Sequence, residues 1–195
     1  MNYQIKGLGI LSLAVLLTAC GGTETNGSST ESNSADGEKN LADTQELRLT
    51  AASEIPSMDT ALATDLTSFT VMNNVFEGLY VLGPDAEPVL GVAAEEPTIS
   101  EDGKTYTFKL REDAVWSNGE PVTADDFVYA WQKVVAPETA SGYAYMFDGL
   151  IQNATEIIND EMDPTELGIK ALSDTELEIT LMQPTSYFDQ LLTLP

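Results

Sequence analysis

One cysteine occurs in this chain, and it stands at position 20, where an almost wholly apolar run from Leu8 to Ala19 ends. A lone thiol forms no internal disulfide and no CxxC site. Lys6 is the one charged side chain in residues 1–20. A positive start followed by a short apolar core reads as an export signal, and the run falls short of the ~20 apolar residues a spanning helix needs. Beyond it, Gly, Ser, Thr and Asn make up 15 of the 26 residues from 20 to 45. Such a stretch buries no core and behaves as a tether. The plan is therefore a signal over 1–19, a tether over 20–45, and a body from 46 onward, placed outside the cytoplasmic membrane.

The junction Leu17-Thr18-Ala19-Cys20-Gly21 resembles the lipobox of bacterial lipoproteins. In that family the signal is cut before the Cys, which then carries acyl chains. Small Thr18 and Ala19 suit a narrow peptidase site, and a thiol is the natural group to alkylate. Several acyl chains would hold the protein on a bilayer stably, where one chain is marginal. The alternative is an ordinary signal with a chance Cys.

Charge and composition exclude whole classes of function for these residues. The 195 residues hold 32 acids, eight bases and no His, a net charge of −24. Loss of residues 1–19 removes only Lys6 among the charges and takes the balance from −24 to −25. Without imidazole there is no Ser-His-Asp or Cys-His set and no histidine metal ligand. Strong negative charge opposes phosphate backbones, so no nucleic-acid partner is expected. Hydrophobic residues at 43% are too many for a disordered acidic tail.

The body mixes both kinds of secondary structure. Glu46–Thr50 alternates like a strand. A helix is expected from Thr64 or Asp65, with Leu66, Phe69, Met72 and Phe76 near helical spacing, Asp65 as cap and Gly78 as terminator. Leu79–Leu82 reads as a strand closed by Gly83-Pro84-Asp85, and Val92–Ser100 as a less regular one. Glu101-Asp102-Gly103-Lys104 is a hairpin turn, since Asp-Gly tolerates positive φ. Thr105–Arg111 follows, with Tyr106, Phe108 and Leu110 on one face. Trp116–Pro121 is a turn with an aromatic anchor. Thr123 then caps a helix in which Phe127, Ala130, Trp131, Val134 and Val135 form one apolar face, ended by Pro137. A weaker helix is expected over 150–159, strands over 168–172 and 176–182, and a further helical or apolar segment over 187–194. The class is mixed α/β, or α+β. The apolar end at Pro195 suggests the front part of a longer chain.

Candidate sites are weighed against plainer explanations. Asp125-Asp126 could be a catalytic or metal-binding acid pair, but acids at a helix start complement its dipole. Asn159–Asp163 lacks the spaced oxygens of a calcium loop and reads as a solvated acidic loop. Gly78, Gly83, Gly91, Gly103 and Gly119 sit singly at turns, not in a phosphate cradle. Trp116 and Trp131 fit core packing better than ligand stacking. No catalytic residue, metal site or cofactor is expected, and a binding module is favoured over an enzyme.

Asp102–Arg111 followed by Trp116–Trp131 resembles the signature of the oligopeptide-, dipeptide- and nickel-binding family of ABC-transporter receptors. Phe76-Glu77-Gly78-Leu79 and Gly91-Val92-Ala93 match upstream motifs; Leu167–Leu172 and Pro184–Phe188 match downstream ones. The resemblance implies a periplasmic-binding-protein-like (type II) fold of two lobes around a cleft. Residues 46–76 would begin the first lobe and residues 77–195 would form a lobe inserted in it, with the second main lobe absent. It implies an oligopeptide ligand held as an added strand. Thr64-Asp65-Leu66 matches the ligand-pairing stretch, and Tyr143 a cleft-lining aromatic. The acidic group that grips the peptide amine would lie in the absent lobe. The implied partners are ABC permease subunits in the membrane and the bilayer itself, through Cys20, with the receptor a monomer. Alternatives are a receptor for a signalling peptide (a pheromone) or a metal chelate, or a secreted carboxylate-dependent hydrolase.

Overall fold

The computed structural model describes residues 46, 48–51 and 53–194. Cys20, the signal and the tether lie outside the described residues. Among the described residues, four α-helices and six strands follow in the order α1 (Leu66–Val75), β1 (Tyr80–Leu82), β2 (Pro88–Leu90), β3 (Thr98–Ile99), β4 (Thr105–Lys109), α2 (Ala124–Val135), α3 (Ala154–Ile158), β5 (Ile169–Ser173), β6 (Glu176–Thr180) and α4 (Phe188–Leu191). The mixed α/β class expected from the sequence is what the chain adopts.

The main sheet is antiparallel with strand order β3-β4-β6-β5. Its register lines up Tyr106, Ile179 and Ile169 in one cross-strand row, and Phe108, Leu177 and Ala171 in the next. Side chains alternate between faces, so both rows point the same way, into the core. Phe108, Leu177 and Ile179 are wholly buried there. Phe127, Val128 and Trp131 of α2 pack against this core with Ala154 and Ile157 of α3. The opposite face is polar: Lys170 and Glu178 stand across from each other and pair at 2.8 Å.

The ends of α2 follow the sequence. The Thr123 N–H donates to Asp126 Oδ2 at 2.8 Å, and the Thr123 hydroxyl reaches the same oxygen at 3.1 Å. Asp126 thus serves the helix start, as the plainer reading of the acid pair holds. A short 3-10 turn at Pro137–Thr139 follows the helix.

Several expectations are corrected. Residues 48–50 form no strand, and Leu49 is 78% exposed; alternation makes a strand only where a neighbouring ladder receives it. The Val92–Ser100 strand shrinks to Thr98–Ile99, because Pro97 offers no N–H to a ladder. Pro88–Leu90 pairs with β1 instead. β4 stops at Lys109, and Leu110 keeps one bridge to Ala93. The helix expected over 150–159 forms only at Ala154–Ile158, since Ile151 bridges to Leu181 and Asn153 is left-handed at φ 67°. The final segment is helical only over Phe188–Leu191. α1 ends at Val75, with Phe76 extended, so Gly78 is not its terminator. Gly78 and Gly91 are there for close approach: a Cβ on Gly91 would lie 2.5 Å from the Gly78 carbonyl oxygen. Trp116 is 41% exposed and tied to Asp126 by its indole N–H at 3.2 Å, so it is no core residue. Trp131 meets Phe147 edge-on and is packed against the core.

Candidate functional site

The segment expected to pair with ligand lies between a turn and the start of α1. Its turn is organised by Asp59. The carbonyl oxygen of Asp59 accepts the N–H groups of Leu62 and Ala63 at 3.0 and 2.9 Å, and its Oδ1 accepts that of Ala61 at 3.0 Å. Ala61 and Ala63 are buried, whereas Leu62 and Thr64 face solvent.

Asp65 caps the helix. Its Oδ1 accepts the Ser68 N–H at 2.9 Å and its Oδ2 the Ser68 hydroxyl at 2.7 Å. These bonds, Ser68's hydroxyl foremost, hold the Asp65 carboxyl below the usual carboxylate range. Leu66 opens α1 and is 81% exposed. The sequence left cap and ligand roles for Asp65 in competition; the side chain is engaged as a cap.

Tyr143 comes from a distant loop and meets this segment. Its ring stands edge-on to Phe69 of α1, centroids 5.6 Å apart and planes at 71°. One residue earlier, Gly142 lies against Thr64: a Cβ there would be 2.9 Å from Thr64 Cγ2. The Tyr145 ring lies 6.0 Å from that of Tyr143, and the residue is 66% exposed. Thr64, Asp65, Leu66 and Tyr143 are therefore gathered into one surface, while Cys20 lies outside the described residues.

Two charged residues of this region escaped sequence reasoning. Lys133 Nζ of α2 reaches Asp59 Oδ2 at 2.6 Å, half-buried on both sides. The Lys133 hydrogen bond holds the Asp59 carboxyl below its ordinary value, and Asp59 raises Lys133 in turn. No periodicity links a loop aspartate to a helix lysine so far along the chain. Tyr145, also missed, carried a faint signal as an aromatic beside Tyr143 in a polar loop.

The surface offers an exposed apolar side chain at Leu66 and the aromatic rings of Tyr143 and Tyr145. Among the described residues no group of three or more His, Cys, Asp or Glu is placed to hold a metal ion. Residues 87–195 match the family described as bacterial extracellular solute-binding proteins, family 5 (middle), and the chain belongs to that family.

Within it, the chain is 44% identical over 156 residues to the periplasmic oligopeptide-binding protein OppA of Escherichia coli, covering 80% of this chain and 28% of the relative. Among solved structures, Listeria monocytogenes OppA bound to peptide matches with TM-score 0.72 and 49% identity, over 74% of this chain and 28% of that one. The pheromone receptor PrgZ, solved for its mode of peptide binding, matches with TM-score 0.72 and 44% identity over the same shares. The body thus has the fold of part of an oligopeptide receptor. The chain spans under a third of the length of these relatives.

Proposed function

We propose that this chain contributes to an extracytoplasmic receptor that binds oligopeptides and delivers them to an ABC-type importer. The observation carrying the reading is the 49% identity to a peptide-bound OppA across a region that includes the signature run. Residues 46–76 would belong to the first ligand-binding lobe and residues 77–195 to the lobe inserted in it. Thr64, Leu66 and the backbone of Asp65 would line the cleft with Tyr143. Binding leaves the peptide intact, so the protein is no enzyme, and it works as a monomer against permease subunits. Closure of two lobes around the ligand would be its working motion.

The test is calorimetry of the receptor at its native length with a pool of short unmodified peptides, followed by mass analysis of what is recovered. Intact peptides support the reading. Cleaved peptides would favour a hydrolase, and retention of a metal chelate alone would favour a chelate receptor. The 195 residues by themselves are expected to bind the pool far more weakly.

A signalling peptide is the second reading, favoured by the similarity to PrgZ. Saturation by one peptide sequence, with the random pool unable to compete, would select it.

We also propose that Cys20 carries the acyl chains that hold the protein at the outer face of the cytoplasmic membrane. The support is the Leu17–Gly21 junction after an export signal. Cys20→Ser is expected to move the receptor from the membrane fraction to the soluble one and to abolish fatty-acid labelling.

A further inference from the structure

The Asp59 turn is fastened more firmly than a surface loop requires. Three successive N–H groups, those of Ala61, Leu62 and Ala63, converge on one residue. That residue is in turn fixed by the charge-assisted bond from Lys133 at 2.6 Å, a class of bond roughly twice as strong as a neutral one. Lys133 is a rigid post. It sits in the last turn of α2, whose first turn is locked by Thr123 and Asp126 and whose apolar side chains pack into the main core. From the other side, Gly142 leaves no room for a side chain against Thr64. The exposed residues Leu62, Thr64 and Leu66 therefore lie between the Lys133-bound turn and the backbone at Gly142.

A half-exposed ion pair adds little to global stability. Its geometry, however, dictates where the turn sits on α2, because a short bond to one carboxylate oxygen is directional where apolar packing is not. We propose that Lys133 and Asp59 are positioning residues for the ligand-facing segment Leu62–Leu66: they set its pose for a peptide without touching the peptide. The inference rests on the peptide-receptor reading. Its signature is a loss of affinity out of proportion to any loss of stability.

The experiment uses the receptor at its native length and a random pool of tri- to hexapeptides. Lys133→Met and Asp59→Asn are each expected to raise the half-saturating pool concentration about tenfold, as loosening a supporting shell does. Lys133→Arg, which keeps a charge-assisted donor for Asp59, is expected to lose clearly less affinity than Lys133→Met. Urea midpoints should barely move, while amide exchange at Ala61–Ala63 speeds up and exchange in the main sheet does not. Unchanged affinity in Lys133→Met, with binding still weakened by the exposed control Leu66→Arg, overturns the positioning role and leaves the peptide reading intact. Affinity loss that merely tracks a fall in the urea midpoint, or failure of Lys133→Arg to rescue, also overturns it. If neither Lys133→Met nor Leu66→Arg matters while the pool still binds, the segment is not ligand-facing and the positioning role falls with it. No binding by the unmutated receptor removes the peptide reading and this inference together.

Discussion

The ring of Tyr143 stands edge-on against Phe69, 5.6 Å between centroids, and so joins the loop after α2 to the first helix of the body. An edge-to-face pair adds about 0.5–1.5 kcal/mol beyond its buried area. Tyr143→Phe keeps the ring and is expected to leave stability within about 0.5 kcal/mol of the original. Tyr143→Ala is expected to cost roughly 1–3 kcal/mol in urea denaturation, since it removes the pair and opens a gap. Equal midpoints for the two variants would show that the contact carries no energy.

The hairpin base tolerates no side chain at Gly91. With a Cβ 2.5 Å from the Gly78 carbonyl oxygen, backbone must move. Gly91→Ala is expected to lose about 2 kcal/mol or more. Gly119→Ala meets no atom within 4 Å but sits at φ 87°, so its cost, about 1–2 kcal/mol, is backbone strain alone. Denaturation curves of the two variants compare steric with conformational cost directly.

Phe108 is fully buried in the row with Leu177 and Ala171. Phe108→Ala is expected to destabilise by about 3–5 kcal/mol, the range for a large core truncation. On the other face, Lys170→Ala removes a pair with Glu178 that is mostly in solvent on the lysine side. Its expected cost is under about 1 kcal/mol and fades as salt is raised. A larger effect from Lys170 than from Phe108 would contradict the assignment of faces.

Acid sensitivity has a local source. The folded-state Asp59 carboxyl is held below its ordinary value of 3.8 by Lys133. A lowered acid contributes stability that is present in full above its unfolded value and is lost as pH falls through the folded one. Lys133, raised above 10.5 by Asp59, contributes fully below that value and loses its share as pH rises through the folded one. Between these limits the pair is intact. Asp65, Asp102 and Asp163 are lowered by hydrogen bonds and add to the same acid-side loss. Asp59→Asn is expected to flatten slightly the fall in urea midpoint as pH drops below 3.8, the ordinary carboxyl value. An unchanged slope would remove Asp59 from the account.

Much of the local structure was written in the chain. The Asp102-Gly103 turn forms with Gly103 at φ 70°, the Tyr106/Phe108/Leu110 face goes inward, and Thr123 with Asp126 starts α2 where the spacing places it. These are short-range matters: turn chemistry, alternation and capping depend on residues a few positions apart. The resemblance in the signature run also brought Thr64, Asp65, Leu66 and Tyr143 forward as cleft candidates.

What the tertiary structure decided is which of these elements meet. Leu49 alternates like a strand residue yet stays exposed, because alternation describes a face and not a partner. Trp116 has the composition of a core anchor but lies outside the core, held to Asp126. Gly91 looks like a turn residue and is instead a point of backbone contact. The bond from Lys133 to Asp59 spans 74 positions. Local rules fix how each segment is shaped, but a pairing of that range exists only once sheet and helices have closed on a common core and brought two unrelated stretches within reach.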